Sequence, residues 1–264
     1  MKVKELMEKL FAWCDDGDSH DYANTCDTLK AGNPEAEVAK AAVTMFATPE
    51  VVRAARDWGA QLLVTHEPTF YDHMDAKLAD DPVTAAKERL LRESGLAVWR
   101  FHDHPHVKRY DLISEGGVRA LGLEGEWVKG EGFGRNFFRL AAPLTAREVG
   151  RRVEKGMGAG RVRVCGALDL PCRNLGLCFG SPGELLGTLR GPDVDILLAG
   201  EACEWQVGEY ARDAAQLGFN KALIIIGHVA SEKEGMRLLA ERLPALCPGV
   251  ESRYFECGEA YVAP

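Results

Sequence analysis

The sequence predicts an α/β protein with two lobes and largely parallel sheets, and three observations carry this prediction. Short apolar runs typical of buried strands alternate with amphipathic segments of helical periodicity along most of the chain. Of the 264 residues, 46% are hydrophobic and 27% are charged, which is typical of a folded globular protein. This length is enough for one large domain or two ordinary ones.

The first third of the chain shows the alternation most clearly. Thr48, followed by proline and glutamate, is a typical helix start, and Gly59 is a typical helix end. The apolar run 61–65 predicts a strand, a second helix is predicted over 82–94, and the run 96–101 predicts the next strand. Strands that alternate with helices in this way favour a parallel sheet.

The same alternation continues to the end of the chain. Further strands are predicted over 137–142, 161–167, 175–179, 194–199 and 222–226, and further helices over 116–121, 145–157, 181–189, 204–217 and 231–243. The composition changes near residue 125, which indicates a boundary. We therefore expect residues 1–125 with 222–264 to form one α/β lobe, and residues 126–221 to form a second.

Charge and hydropathy limit the kinds of partner. The formal net charge of -8 and the pI of about 5.5 disfavour direct nucleic-acid binding, which needs clustered basic residues. No segment approaches the roughly 20 apolar residues of a membrane-spanning helix, and the start of the chain lacks the features of a signal peptide. We therefore expect a cytoplasmic protein without a membrane partner. The eight cysteines form no CxxC pair, which favours buried free thiols over a zinc ribbon.

Three of the seven histidines follow predicted strands directly. His66 follows the run 61–65, His102 follows the run 96–101, and His228 comes just after 222–226. In open α/β sheets, ligands bind at the carboxyl ends of the strands. A single histidine at such a position is usually a loop or capping residue, but three equivalent positions favour a metal site, because neutral imidazole is a good ligand for divalent ions.

Carboxylates accompany these histidines at suitable spacings. Glu67 is adjacent to His66, and Glu232 lies four residues after His228, so that both can face one direction on a helix. The stretch 102–106 contains three histidines and Asp103, and could alternatively be an exposed polar turn. His20 and His73 lie in polar segments where solvent exposure is the simpler interpretation, although His73 could line the cavity.

At these residues the sequence resembles the NIF3-like family of dinuclear-metal proteins. In that family a strand ends in Thr-His-His-Pro, a second segment reads His-x-x-x-Asp, and a late strand runs into Gly-His-x-x-x-Glu. Weaker similarities at 27–32, 179–181 and 199–201 extend the resemblance over nearly the whole chain. The corresponding main motifs here are Thr65-His66-Glu67-Pro68, His102-Asp103-His104-Pro105-His106 and Gly227-His228-Val229-Ala230-Ser231-Glu232.

Two positions depart from the family pattern. Glu67 stands where the family has a second histidine, and His106 stands where the family has an aspartate. The total of four histidines and two carboxylates is nevertheless preserved, so we interpret the pair as an exchange that keeps two metal ions bound. Alternatively, Asp103 or His104 takes one of the ligand roles and the site holds a single ion. The expected ligands are His66, Glu67, His102, His106, His228 and Glu232.

The resemblance implies a protein that binds two divalent ions, among which the residues do not distinguish zinc, iron, manganese or nickel. Two ions can activate water, so a metal-dependent hydrolase is the favoured function. The resemblance implies an activity similar to GTP cyclohydrolase type 2. The alternative is a non-enzymatic, metal-binding regulatory protein that acts through protein partners. Candidate substrate contacts are Thr69, Tyr71 and Glu201, each near a motif. The resemblance also implies a homohexamer.

Overall fold

The computed structural model describes residues 1–15, 24–129 and 136–261, which form two compact units. The first comprises Met1–Leu112 with Met236–Pro264, and the second comprises Ile113–Gly235. These units are defined by compactness and not by metal binding. The division into a metal-binding lobe, residues 1–125 with 222–264, and a second lobe, residues 126–221, therefore stays a prediction. Within the described ranges, no helix has both the length and the apolar character needed to cross a bilayer.

Helices and strands alternate along the described residues, as the sequence predicts. A short π-helix, Glu204–Gly208, precedes α8. In chain order the elements are α1 (Val3–Cys14), β1 (Leu29–Ala31), β2 (Lys40–Thr44), α2 (Pro49–Asp57), β3 (Leu62–Thr65), α3 (Pro82–Ser94), β4 (Ala97–Arg100), α4 (Asp103–Val107), α5 (Leu112–Ala120), β5 (Gly125–Lys129), β6 (Asn136–Leu144), α6 (Ala146–Gly156), β7 (Arg163–Gly166), β8 (Cys172–Cys178), α7 (Leu185–Leu189), β9 (Ile196–Ala199), α8 (Glu209–Gln216), β10 (Ala222–Ile225), α9 (His228–Leu246) and β11 (Glu251–Tyr254).

The first unit is built on a five-stranded sheet of order β1-β4-β3-β2-β11. Strands β11, β2, β3 and β4 run parallel, and only the edge strand β1 is antiparallel. The residues of β3 and β4 are all buried, which is typical of a parallel sheet covered on both faces. The register pairs Thr44 with Thr65 and Thr65 with Arg100, so β2, β3 and β4 end level with one another.

The helices that flank this sheet begin and end where the sequence predicts. The hydroxyl of Thr48 accepts the amide N–H of Val51 at 3.2 Å and caps α2. The carboxylate of Asp81 does the same for Thr84 in α3, which ends at Gly95 in a left-handed conformation. Both helices bury an apolar face in the core of the first unit, whose members include Val52, Ala55, Leu91, Leu63 and Val98.

The second unit is built on a six-stranded mixed sheet of order β5-β6-β8-β9-β10-β7. Its central strands β8, β9 and β10 are parallel, whereas β5, β6 and β7 pair antiparallel with their neighbours. The fold class is therefore confirmed as α/β with two sheets, and parallel pairing dominates the first sheet and the centre of the second. Ala199 at the end of β9 pairs with Cys178 and with Ile225, so the central strands also end level.

Candidate metal centre

Three histidine rings meet at the carboxyl edge of the first sheet. His66 follows β3, His102 follows the neighbouring parallel strand β4, and His106 lies one helical turn further on in α4. The ring centroids of His66 and His102 lie 4.6 Å apart, those of His66 and His106 5.0 Å, and those of His102 and His106 4.8 Å. The rings therefore occupy the corners of a nearly equilateral triangle, which we call the histidine cluster.

The spacing of the ring nitrogens suits a shared metal ion. The Nε2 atoms of His66 and His106 are 3.2 Å apart, and one nitrogen of each of the three rings lies within 4.8 Å of the others. Two imidazole nitrogens bound to one tetrahedral zinc ion at about 2.0–2.1 Å are separated by about 3.4 Å. The observed separation is close to that value, so two rings of the cluster are already placed as a chelating pair.

Hydrogen bonds at the opposite ring nitrogen determine how each histidine faces the cluster. His66 Nδ1 donates to the carbonyl oxygen of Phe101 at 3.2 Å. His102 Nδ1 donates to Asp103 at 2.9 Å, and His106 Nδ1 donates to Asp111 at 2.9 Å. A proton on Nδ1 leaves the lone pair on Nε2, which is the usual arrangement of a metal-binding histidine with a carboxylate or carbonyl behind it.

The two carboxylates behind the cluster give a testable prediction. We expect Asp111→Asn to lower the affinity of the cluster for zinc about 10- to 100-fold, because the amide no longer holds His106 in its coordinating tautomer. Competition with a chromophoric chelator measures the affinity. Asp57→Asn, at an exposed aspartate of the same unit that pairs with Arg56, is the matched control and should bind zinc like the wild type. Equal affinities of the two variants would contradict the assignment of Asp111.

Helix α4 orients two histidines toward the cluster and one away from it. The carboxylate of Asp27 accepts the backbone N–H groups of His102 (2.6 Å), Asp103 (2.9 Å) and His104 (2.9 Å). Burial raises the pKa of Asp27, but the hydrogen bonds from His104 and from these amides lower it further than burial raises it, so the group is ionised. The stretch 102–106 is thus a capped helix, and not an exposed turn.

His104 takes no part in the cluster. Its ring is buried, its Nδ1 lies 2.6 Å from Asp27, and it packs against the ring of Phe11 at a centroid distance of 4.1 Å. His102 and His106 are four residues apart and share one face of α4, whereas His104 lies on another. Of the two additional candidates in this stretch, Asp103 contacts a ring of the cluster and His104 supports the helix.

Electrostatics keep His102 in the form that binds metal. Burial is the main cause that lowers the pKa of His102 to about 4; repulsion from His66 and His106 acts in the same direction, and the hydrogen bond to Asp103 opposes both. Burial also raises the pKa of Asp103, but hydrogen bonds from His102, Thr25 and the amide of Cys26 bring it well below the usual range. At neutral pH, therefore, a neutral imidazole stands beside an ionised carboxylate.

Glu67 lies beside the cluster and above a buried arginine. One of its carboxylate oxygens is within 4.8 Å of a ring nitrogen of His66. Arg100 is fully buried, donates from Nε to the carbonyl oxygen of His66 at 3.1 Å, and places Nη2 3.8 Å from Oε2 of Glu67. The positive guanidinium offsets the negative charge of Glu67 and so compensates part of the desolvation free energy of this buried carboxylate.

The second unit gathers a separate group of ligands at the ends of its central strands. His228 opens α9 directly after β10, and its Nε2 lies 3.3 Å from Oε2 of Glu232, one turn further along the helix. The Nδ1 of His228 donates to Glu201, which follows β9, at 2.6 Å. Glu201, predicted as a substrate contact, therefore stands behind His228 as Asp103 and Asp111 stand behind their histidines.

The remaining candidates from the sequence lie in different surroundings. Thr69 is fully buried, and its hydroxyl has no hydrogen-bond partner among the residues that the structure describes. Tyr71 is 59% exposed, with the ammonium group of Lys87 5.5 Å from its ring centroid. The ring of His73 lies 5.8 Å from that of His102, while His20 is outside the described residues.

Three residues that support the histidine cluster were not predicted from the sequence. Asp27 belongs to a segment of weak family similarity, which was its only signal, and its partners in α4 are 75 to 77 positions away. Asp111 and Arg100 carry no motif that distinguishes them from other charged residues. Their roles depend on contacts that exist only after β4 and α4 have folded together.

Parallel strands that end in histidines and carboxylates define a class of α/β protein with a candidate metal centre, and comparison with known proteins identifies the family. The sequence pattern of the Duf34/NIF3 (NGG1p interacting factor 3) family matches residues 1–257, so the chain belongs to this family.

A curated relative is similar to this chain over most of its length, and solved structures share its fold. A protein of Clostridium acetobutylicum named GTP cyclohydrolase 1 type 2 homolog is 22% identical over 251 residues, covering 92% of this chain and 90% of the relative. The solved structure of protein ybgI, described as of unknown function, has a TM-score of 0.80 at 18% identity and covers 99% of this chain and 100% of that one. A Bacillus cereus protein related to NIF3 has a TM-score of 0.77 at 13% identity, with 100% and 99% covered.

Proposed function

We propose that this chain binds two divalent metal ions and uses them to hydrolyse a small-molecule substrate. The observation that carries the proposal is the histidine cluster. In this cluster the Nε2 atoms of His66 and His106 lie 3.2 Å apart, and the Nδ1 atom of each ring lies within hydrogen-bond distance of a carbonyl or carboxylate oxygen. In the tautomer that carries both protons on Nδ1, two Nε2 lone pairs face each other, and a shared cation turns their repulsion into attraction.

The proposed ligand set is the one that the three sequence motifs define. It contains the histidine cluster together with Glu67, His228 and Glu232. The donors are imidazole nitrogens and carboxylate oxygens, which accept zinc, iron, manganese or nickel. Six ligands exceed the four that a closed structural zinc site uses, which supports two ions with positions left for water or substrate.

When bound, the two ions would supply hydroxide from water near neutral pH and polarise the bond to be broken. The side chains prepare the site for that chemistry. Burial keeps His102 neutral, so it can coordinate without losing a proton, and Asp103, Asp111 and Glu201 hold the three ring orientations. Arg100 fixes the end of β3 and lies beside Glu67. Rigid ligands of this kind require little reorganisation when metal and substrate bind.

The first substrate to test is GTP. The curated relative from Clostridium acetobutylicum is named a GTP cyclohydrolase 1 type 2 homolog, and hydrolytic opening of a purine ring needs an activated water of the kind described. Tyr71 is the exposed aromatic residue among the proposed substrate contacts, and its ring could stack against a base. We further propose that the protein works in the cytoplasm and that it assembles as a homohexamer; family membership supports an oligomer.

A carboxylate substitution on α9 tests the proposal. We expect the wild type, supplied in turn with manganese, zinc, iron, cobalt or nickel, to hydrolyse GTP or another nucleotide, phosphoester or amide. Glu232→Gln should lower the rate at least about 100-fold, because the neutral amide is a poorer ligand than the carboxylate. Product formation can be followed by liquid chromatography.

Glu241→Gln is the matched control, since Glu241 is an exposed glutamate of the same helix. It should retain the wild-type rate. Hydrolysis that survives unchanged in Glu232→Gln would contradict the ligand assignment. Tight retention of metal without turnover of any substrate would contradict the hydrolase and favour the non-enzymatic regulatory protein.

A further inference from the structure

Outside the histidine cluster, a thiol, an imidazole and a carboxylate converge in the first unit. The Sγ of Cys26, a ring nitrogen of His73 and a carboxylate oxygen of Asp103 all lie within 4.8 Å of one another. None of these three residues belongs to the proposed six-ligand set. We propose that they form a separate site for one thiophilic divalent cation, with zinc as the physiological candidate and cobalt or cadmium as its laboratory substitutes.

The sulfur and the carboxylate are held together by several hydrogen bonds. Cys26 is 1% exposed, and its Sγ lies 3.4 Å from Oδ1 of Asp103. The other oxygen, Oδ2, accepts the hydroxyl of Thr25 at 2.8 Å and the amide N–H of Cys26 at 3.0 Å. The backbone and side chains of two consecutive residues thus fix the carboxylate against the thiol, and the pair is rigid before any ion binds.

The third donor, His73, lies on a segment that hydrogen bonds and an ion pair hold in place. The buried guanidinium of Arg100 donates from Nη1 to the carbonyl oxygen of His73. Asp75 accepts the amide N–H of Phe70 at 2.8 Å and forms a buried ion pair with Lys30 at 2.9 Å. Asp75 has a φ of 62°, a left-handed conformation that is uncommon outside glycine and is sustained here by these contacts. The backbone that carries the His73 ring is therefore fixed.

The observed spacing fits a tetrahedral ion. A ligand sulfur at about 2.3 Å and a carboxylate oxygen at about 2.0–2.2 Å from tetrahedral zinc are separated by about 3.5 Å. The Sγ–Oδ1 distance of 3.4 Å is close to this value, so one ion can bridge the two atoms with little movement. The thiol proton, which now points to Asp103, leaves to solvent as the ion takes its place.

The donor set determines which ions bind here. A thiolate with an imidazole selects zinc, cobalt or cadmium over manganese and magnesium, which prefer oxygen ligands. His73 is exposed and gives the ion access from solvent, whereas Cys26 is buried. Three protein ligands leave a fourth position for water. Both the chemistry and the access therefore differ from those of the fully buried His66.

The two sites share one carboxylate. The Oδ1 atom of Asp103 that faces Cys26 also accepts the Nδ1–H of His102 at 2.9 Å. An ion on Cys26 and His73 therefore draws electron density from the group that orients His102. By reciprocity, occupation of either site changes the affinity of the other by the same factor.

Cobalt absorption tests the proposal directly, because thiolate-to-cobalt charge transfer gives a near-ultraviolet band that histidine and carboxylate ligands do not give. The full-length chain is titrated with cobalt(II) alone. We expect a thiolate band whose final amplitude corresponds to one thiolate-bound cobalt ion per chain, since cobalt on the proposed histidine and carboxylate ligands adds nothing to this band. The band should be absent in Cys26→Ser, and it should need at least about 10-fold more cobalt in His73→Ala because one of three ligands is lost. His73 is exposed, so the second variant keeps the test valid if the first fails to fold.

Two controls separate this site from other possibilities. Cys203→Ser removes an exposed thiol and should leave the band unchanged. His66→Gln removes a ligand of the histidine cluster and should also leave the thiolate band in place, whether or not the proposed hydrolase exists. The proposal is overturned by a wild type without the band, by a band that persists in Cys26→Ser, or by a band that disappears in Cys203→Ser or His66→Gln.

Discussion

Replacing His66 with glutamine should lower the affinity of the histidine cluster for zinc or manganese more than about 100-fold. This effect exceeds that of Asp111→Asn, because a ligand is lost and not only the carboxylate that orients a ligand. His66 lies at the end of the central strand β3, is fully buried, and contacts both other rings of the cluster. Glutamine keeps most of the volume and can still donate to the carbonyl oxygen of Phe101, so the strand end retains its packing. Metal-dependent hydrolysis should fall to background together with the affinity.

The measurement combines isothermal titration with metal and circular dichroism as a check on folding. His66→Ala serves as a second variant, and its cavity should add about 2–4 kcal/mol of destabilisation to the loss of metal. If the folded His66→Gln protein binds metal with the affinity of the wild type, the histidine cluster is not a metal site.

Replacing Gly200 with alanine should destabilise the second unit by about 3 kcal/mol or more, which is at the upper end of overpacking effects. A Cβ atom at this position would lie 2.3 Å from the carbonyl oxygen and 2.6 Å from the amide nitrogen of Gly180, and 2.6 Å from the hydroxyl of Ser231. Two of these atoms belong to the backbone, so the strand ends themselves must move. Because Gly200 precedes Glu201, the shift should also misplace the carboxylate that orients His228.

Chemical denaturation, followed by fluorescence, measures the first effect, and metal titration measures the second. Gly208→Ala is the matched control, since a Cβ at Gly208 meets no atom within 4 Å and its φ of -65° suits any residue. That variant should be as stable as the wild type or about 0.5–1 kcal/mol more stable, because alanine loses less backbone entropy on folding than glycine. Two variants of equal stability would show that the close approach of Gly180 and Gly200 is not required.

The sequence predicted the strand ends of the site well, and the reason is physical. The runs before His66 and His102 are apolar without alternation, as strands buried on both faces require, and this pattern is local. Once both strands are parallel neighbours, the residues after them meet at one edge of the sheet. Strands β3 and β4 of the first sheet, and the meeting of the two histidines that follow them, can therefore be predicted from patterns a few residues long.

The parts that the sequence did not predict depend on contacts between distant segments. The stretch 102–106 has weak helical propensity, with proline in its middle, and becomes helical because Asp27 accepts three of its backbone amides. Strand β11 has a polar sequence and is defined only by pairing with β2. The segments 179–181 and 199–201 gave weak sequence signals, yet their glycines allow the backbone of one strand end to lie against another.

Neighbouring side chains explain how the site accommodates a glutamate at position 67 and a histidine at position 106. Glu67 lies beside the buried guanidinium of Arg100, which offsets its charge, and His106 is oriented by Asp111. Each unusual residue thus has a partner suited to it within the first unit. This supports the interpretation that both positions keep a ligand role.

Anomalous scattering from crystals of the manganese-supplemented, full-length protein tests the central claim most directly. Manganese is preferable to zinc here because it disfavours the thiol-containing site and reports on the histidine and carboxylate ligands alone. We expect two manganese ions per chain, with Nε2 atoms of the histidine cluster among their ligands together with Glu67, His228 and Glu232. A single ion, or the absence of any ion beside His66, His102 and His106, would contradict it.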